Sequence, residues 1–544
     1  MYSYSDISPP VTWLISQTAT RDRSIRPDRS RFLAPDPSPV VPTCRWVELT
    51  CPLEGNDVLI GVPSEPMTDD LDTADFFTDG ELLRDPYAWF HALRGECPLR
   101  RETHHDVVMV TGYDEVVSIY NDTEHFSSCT AVTGPFPGFP VPTDCLDDIT
   151  ELIAKHRDDL PFSDQLPTMD PPMHTAHRAL LSRMITPKRL KENEAFIARI
   201  VDEQLDSALA SDADGRSEII GDFAAPVALL VVADLLGVPE EDHPEFRAAM
   251  LNKAGTVGST KGEEMKHSPL EYLYEKFGRY IEDRRAEPQG DVLTGVASAT
   301  FPDGSTPEVI DAVRVAANLF AAGGETTVRL LSTAVMLIAE DADLQAELRS
   351  NRDLIPNFVE ECLRYESPVR GDFRLSKVPV TVGGVDLPAG TTVMLVNAAA
   401  NRDPARFPDP DTFDPHRDNA RSHVTFGRGV HTCPGAPLAR TEAIVGLNRL
   451  LDRTSDITID EEHHGPPDAR RYQYVPTFIL RGLRNGTDHD YERAIALMNR
   501  AMTGVETVFL PAEPAHAHIS STIVRELLAN KADVSAFVPP AVRP

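Results

Sequence analysis

The chain has 544 residues, 41% of them hydrophobic and 25% charged, and a formal net charge of −33; it is long enough for a large core, and its acidity disfavours nucleic acid or an anionic membrane as a partner. Its seven cysteines are odd in number and irregularly spaced, which argues against a disulfide framework and for a reducing cytoplasm. Neither a CxxC nor an HExxH metal pattern occurs, and no apolar run reaches the length of a membrane span.

In chain order, residues 1–68 are proline-rich and weakly periodic. Arg21, Arg23, Arg26, Arg29 and Arg31 fall there without an apolar stretch, so the segment does not read as a secretory signal and is expected to be a disordered extension. From Thr73 the sequence becomes globular. Residues 86–94 predict a helix, 107–111 a strand and 113–120 a second helix. Residues 127–172 form a long irregular stretch around Gly134-Pro135-Phe136-Pro137-Gly138-Phe139-Pro140, and a loop this long in a compact domain is functional or disordered. Helical periodicity dominates 174–236, with Phe196, Ile197, Ile200, Val201 and Leu205 on one apolar face. Within it, 227–236 reads as a buried helix closed by Gly237. Long helical patterns follow over 308–339 and 342–366, then short strands near 378–382 and 391–396, then a proline-studded meander over 404–415. The fold class is mainly α with minor β.

Four motifs carry chemistry. The first is Phe426-Gly427-Arg428-Gly429-Val430-His431-Thr432-Cys433-Pro434-Gly435, running into a helix that begins at Ala436. Its glycines let backbone approach something flat and bulky. The helix start aims amides and a positive dipole end at the sulfur, which favours the thiolate, and a thiolate held that way is a metal ligand or a nucleophile. The second is Ala321-Ala322-Gly323-Gly324-Glu325-Thr326-Thr327, where two glycines interrupt a helix at a loss of about 1 kcal/mol each. Something must approach that backbone closely, or a groove must open there. The third is Glu361-Cys362-Leu363-Arg364, an i,i+3 pair on one helix face, with Phe413-Asp414-Pro415-His416-Arg417 ending sixteen residues before Cys433. The fourth is Asp170-Pro171-Pro172-Met173-His174-Thr175-Ala176-His177-Arg178, which places His174 and Arg178 on the same side of a helix.

Together these motifs resemble those of the cytochromes P450 over about residues 73–484. The resemblance implies that Cys433 is the axial ligand of heme b (iron protoporphyrin IX) and that His174, Arg178, Arg374 and His431 contact the haem propionates. It implies that Thr326 steadies the oxygen activated at the iron, that Glu325 links a proton relay to solvent, and that O₂ is the oxidant. Glu361, Arg364 and Arg417 match a buried ion network behind the haem that serves structure and haem incorporation. The chain departs from the family's usual pattern at Met173, where relatives carry Glu, and at Pro434, where they carry an apolar residue such as Leu. Proline has no N–H, so one potential donor to the sulfur is missing, which leaves more electron density there and stabilises ferric iron.

The function so implied is that of a soluble, cytoplasmic haem-thiolate monooxygenase that hydroxylates an apolar small molecule. No flavin, nicotinamide or iron–sulfur pattern occurs in the chain, so its electrons are expected from a ferredoxin and an NAD(P)H-dependent ferredoxin reductase. Substrate recognition is expected in 127–167, near 227–236 and on the 318–327 face. A haem-binding protein without turnover is the alternative, and it would not need the Glu325–Thr326 pair. The expected domains are the extension 1–68, a haem domain 69–484 and a fragment 485–544. That last segment resembles the C-terminal half of phosphopantetheine adenylyltransferase, with Arg484, Glu492 and Thr522 at places that contact ATP in that family. The Thr/His-x-Gly-His loop of its N-terminal half is missing, so the expectation is a fusion with an incomplete α/β nucleotidyltransferase-like tail and no adenylyltransferase activity.

Overall fold

A computed structural model describes residues 73–460, apart from 137, 182–184, 211–215, 247–268 and 290, together with the strand segments 12–16, 46–50, 59–63, 479–483 and 507–511. Its body is helical. The long elements are α1 (Tyr87–Glu96), α2 (Tyr113–Asn121), α3 (Met173–Leu181), α4 (Pro187–Ala210), α5 (Ala225–Leu236), α6 (Pro269–Ala286), α7 (Val309–Glu340), α8 (Ile355–Tyr365) and α9 (Ala436–Arg453). Helix α7 has 32 residues and begins with a reciprocal capping box between Glu308 and Asp311. At about 1.5 Å per residue it runs about 48 Å through the molecule. Its buried stripe, including Ala312, Ala316, Phe320, Leu331 and Ile338, forms the spine of the main core.

Helix α5 packs on that spine. All its residues except Leu230 and Asp234 are buried, and it ends where Gly237 turns left-handed at φ 77° and donates to the carbonyls of Ala233 and Asp234. A π-helical turn, Ile219–Ala224, leads into it, capped by the Glu218 carboxylate. The continuous stretch Ile219–Leu236 therefore reaches the length and hydropathy of a membrane span, against the sequence expectation. It is 72% buried inside the protein, as a core helix flanked by α4 and α7 must be.

A five-stranded sheet joins distant parts of the chain. Its strands are β1 (Leu99–Arg101), β2 (Val108–Val110), β3 (Phe126–Ser127), β4 (Asp372–Ser376) and β5 (Thr392–Leu395), in the order β1-β2-β5-β4-β3. Strands β2 and β5 are parallel and the other pairs antiparallel, with Arg374 opposite Val393. This register brings β4 against α2, where Arg374 meets Tyr120.

Three expectations need correction. The long loop carries a helix at Thr150–Lys155 and 3₁₀ turns at Arg157–Asp159 and Leu166–Thr168. The single helical run expected over 342–366 breaks into Ala342–Ser350 and α8, because Pro356 can only sit in the first turn of a new helix. Cys97 and Cys145 are each disulfide-bonded, which irregular spacing could not foretell, while Cys129, Cys362 and Cys433 are free.

Within the extension expected to be disordered, Thr12–Ser16 pairs with Asp456–Ile459 and with Arg216–Glu218, and Trp46–Thr50 pairs with Leu59–Pro63. In the tail, Ile479–Leu483 and Thr507–Pro511 are parallel neighbours. Arg484, Glu492 and Thr522 lie outside the described residues.

Candidate functional site

Residues 426–435 wrap into a loop that delivers Cys433 to the start of α9. Gly427 and Gly429 adopt φ 64° and 67°, a region that disfavours any side chain. A Cβ on Gly429 would also lie 2.6 Å from the Tyr120 carbonyl oxygen, so the close approach at this glycine is by the protein's own α2. The Cys433 amide donates to the Phe426 carbonyl at 2.8 Å and closes the loop. The Arg440 guanidinium sits 4.6 Å from the centre of the Phe426 ring. Burial pushes the Cys433 thiol up, while the amides of Gly435 and Ala436 and the charges of Arg178 and Arg440 pull it down. The helix-start amides act as expected from the sequence, but burial outweighs them, and a cation bound at the sulfur would favour the thiolate.

Around this loop four basic side chains converge from three segments, His174 and Arg178 from α3, Arg374 from β4 and His431 from the loop itself. His174 of α3 is 2% exposed, and neither of its ring nitrogens has a hydrogen-bond partner among the described residues. Its ring centre is 4.0 Å from that of His431. His431 Nε2 lies 3.1 Å from Ser128 Oγ, and Asp170 fixes Ser128 by accepting its amide at 2.7 Å. Arg178 donates to the carbonyl of Thr432, next to Cys433. Arg374 is 5% exposed, lies 5.3 Å from the Tyr120 ring centre and donates to the Phe373 carbonyl at 2.6 Å. Burial and then the Arg178 charge push His174 down to about 4. Burial and then Arg374, His174 and Arg178 push His431 down to about 2. A buried histidine such as His174, without an acceptor among the described residues and close to the Arg178 and Arg374 charges, is unfavourable unless an anion takes the centre.

On α7, Thr326 Oγ donates to the Ala322 carbonyl at 3.0 Å, leaving its lone pairs to accept. Glu325 accepts from Arg329, whose other terminal nitrogen donates to the Pro368 carbonyl at 2.7 Å. The glycines beside them serve packing. A Cβ at Gly323 would meet Val232 Cγ2 at 2.9 Å, and one at Gly324 would meet Leu229 Cδ2 at 3.1 Å. They mark where α5 crosses α7 closely, so of the two sequence readings close approach holds here, and the element approaching is α5.

Comparison with known proteins decides the family. A family model described as Cytochrome P450 matches residues 302–471. Cytochrome P450 144 of Mycobacterium tuberculosis is 33% identical over 395 residues, which is 71% of this chain and 86% of that protein. The cytochrome P450 monooxygenase PikC of Streptomyces venezuelae is 34% identical over 412 residues, 74% of this chain and 91% of that protein. Among solved structures, the substrate-free cytochrome P450 CYP150A6 of Mycobacterium marinum is 48% identical with a TM-score of 0.68, covering 75% of this chain and 96% of that one.

The chain belongs to the cytochrome P450 family.

As a P450 it is a monooxygenase, an oxidoreductase whose cofactor is heme b with a thiolate on the iron. The residues present fit that group, because two propionates are the kind of acceptor that the unpartnered His174 and its neighbours call for.

The P450's Glu361, Arg364 and Arg417 meet in deep burial, at 0%, 0% and 7% exposure. Arg364 donates to both Glu361 oxygens at 2.7 Å, and Arg417 Nε donates to one of them at 3.1 Å. Further guanidinium hydrogens go to the Asn401 carbonyl and to meander carbonyls, among them Pro408, Pro410 and Thr412.

Two residues escaped the sequence reading. Glu360 accepts from Arg440 Nε at 2.6 Å and faces His423 Nε2 at 3.1 Å, tying α8 to α9. Burial pushes its carboxyl up, but His423 and Arg440 outweigh burial and hold it at about 2. Its only signal was its place beside Glu361. Glu442 on α9 is fully buried, with both oxygens unpartnered among the described residues, and burial holds its carboxyl well above the usual range. Nothing in the sequence marks it. The 227–236 stretch, expected to be a buried helix near the substrate, is the buried core helix α5, packed against α7 at Gly323 and Gly324.

Proposed function

We propose that Cys433 would supply the thiolate that binds haem b, that His174, Arg178, Arg374 and His431 would hold its propionates, and that the protein hydroxylates an apolar small molecule: R–H + O₂ + 2 e⁻ + 2 H⁺ → R–OH + H₂O. The observation that carries this reading is the buried His174, without a partner among the described residues and close to the Arg178 and Arg374 charges, beside the Cys433 loop. The haem supplies the iron at which O₂ is reduced and cleaved.

The chain's own residues supply binding and protons. His174 has both ring nitrogens open to a carboxylate, whereas His431 is already braced by Ser128; His174 is therefore the stronger anchor of the two. Thr326 is held by Ala322 with its oxygen free to accept, and the half-exposed Glu325 takes protons from solvent and passes them to Thr326. Glu361, Arg364 and Arg417 brace the meander and do not touch the reacting atoms. Substrate lies between the 127–167 loop and the 318–327 face of α7. The two electrons come from a ferredoxin and its NAD(P)H-dependent reductase, as in bacterial P450s generally. Residues 69–484 make up the haem domain, with 1–68 and 485–544 as extensions to it.

The test is Thr326→Ala. The variant keeps haem and continues to consume electrons, but hydrogen peroxide release rises several-fold at the expense of product. A haem carrier would show no electron consumption in either form.

A further inference from the structure

We propose that Arg329 is a positioning residue that latches the Glu325 carboxylate and so sets when a proton passes from it to Thr326. The proposal rests on the reading of Glu325 and Thr326 given above. Glu325 and Arg329 stand four residues apart on α7 and share a face. An exposed pair at that spacing contributes little by itself. This one is anchored from the far side: Arg329 Nη1 donates at 2.7 Å to the carbonyl of Pro368, in the turn between α8 and β4, the strand that carries Arg374.

The exposures are unequal. The Arg329 side chain is 20% exposed and that of Glu325 is 50% exposed, so the guanidinium is the fixed member and the carboxylate the movable one. The two functional groups are also drawn in opposite directions along the helix. Thr326 is bonded to Ala322, toward the N-terminus, and Glu325 to Arg329, toward the C-terminus. For Glu325 to hand a proton to Thr326, its carboxyl must leave Arg329.

The proton balance closes. Glu325 takes a proton from solvent, becomes neutral and leaves the guanidinium, gives the proton to Thr326, and is recaptured as carboxylate. Two such deliveries accompany the two electrons of R–H + O₂ + 2 e⁻ + 2 H⁺ → R–OH + H₂O. When delivery falls out of step, the same electrons and protons leave as peroxide, O₂ + 2 e⁻ + 2 H⁺ → H₂O₂. Only arginine can bond a carboxylate and a carbonyl at once through a rigid fork; lysine keeps the charge but not the two-sided grip.

The test uses holoenzyme in four forms beside wild type: Arg329→Gln, Arg329→Lys, Glu325→Gln and the double variant Arg329→Gln/Glu325→Gln. Electrons come from a surrogate ferredoxin and reductase. The first readout is peroxide released per NAD(P)H oxidised, with R–H supplied as whichever compound of a lipid, terpenoid, steroid and aromatic panel gives the largest spin-state shift, because without R–H every electron pair would leave as peroxide. The others are the solvent isotope effect on oxygen consumption and hydrogen exchange over residues 366–371. Arg329→Gln is expected to raise peroxide per NAD(P)H about threefold or more and to change the isotope effect, with Arg329→Lys intermediate; in the Glu325→Gln background the same replacement changes neither. Equal effects in both backgrounds, or an unchanged peroxide yield in Arg329→Gln, overturn the proposal. So does looser exchange at 366–371 accompanied by a peroxide effect that persists without Glu325, since Arg329 would then be only a structural anchor. The ferrous–CO spectrum of wild type separates these failures from failure of the haem-thiolate reading itself.

Discussion

Glu361→Gln takes one charge out of a fully buried network and leaves its shape almost unchanged. Glu361 accepts from Arg364 Nε and Nη2 at 2.7 Å, from Arg417 Nε at 3.1 Å and from the Asp414 amide at 3.0 Å. Glutamine offers one acceptor oxygen in place of two and turns an NH₂ group toward guanidinium donors. The two guanidiniums, 0% and 7% exposed, are left without a counter-charge. Breaking a buried ion pair by removing one partner costs about 3–5 kcal/mol. The meander carbonyls that still accept from both arginines place this case near the low end, about 3 kcal/mol. That is a large share of the 5–15 kcal/mol that holds a typical domain folded. With a urea slope of about 3 kcal/mol per M, the unfolding midpoint falls by about 1 M. The assay is urea unfolding of holoenzyme followed by far-ultraviolet circular dichroism and Soret absorbance, with haem content measured beforehand. A variant with full haem content and the wild-type midpoint would refute the reasoning, because it would mean that the carbonyl oxygens alone satisfy the arginines.

Three further outcomes follow from the packing and the charges. Gly323→Ala pushes a methyl group against Val232, so an overpacking cost of about 1–3 kcal/mol exceeds the helix gain of about 1 kcal/mol; Gly324→Ala meets only the flexible tip of Leu229 and is close to neutral. Denaturation midpoints in the reverse order would contradict the close crossing of α5 and α7. Glu360 is held at about 2 against its ordinary 4.5, so its contribution to stability is present above the ordinary value and is lost as pH falls through the folded one; Glu360→Gln should flatten the acid limb of the stability curve in that window, and superimposable curves would count against the Glu360–His423–Arg440 cluster. Amides of Gly435 and Ala436 act on the Cys433 sulfur, whereas Pro434 has no N–H to offer. Pro434→Leu should therefore raise the haem reduction potential measured by spectroelectrochemical titration, and an unchanged or lower value would contradict this.

What could be read in advance divides along physical lines. That Arg178 reaches the Cys433 loop and that Arg417 joins Glu361 and Arg364 was legible through the motifs' resemblance to the cytochromes P450. Buried helices such as α5 were legible too, since apolar content and Gly237 mark burial and termination. The partner of a surface was not. Gly323 and Gly324 signalled close approach, but the approaching side chains, Leu229 and Val232, come from nearly a hundred residues earlier, and no local pattern names them. The same limit holds for 227–236: an apolar helix reads alike whether it lines a cavity or fills a core. Glu360 and Glu442 show it for charge. A glutamate's burial depends on what folds over it, so one became the hub of an ion cluster and the other a carboxyl that burial pushes up, with nothing in their neighbours to tell them apart.

The central claim is that Cys433 binds haem iron as a thiolate. The direct measurement is the ferrous–CO difference spectrum of the purified holoprotein alongside Cys433→Ser. The wild type should show the red-shifted Soret band diagnostic of thiolate ligation, and the variant should lack it even when it retains haem. A haem-supplemented wild type without that band, or a Cys433→Ser variant that keeps it, would contradict the account.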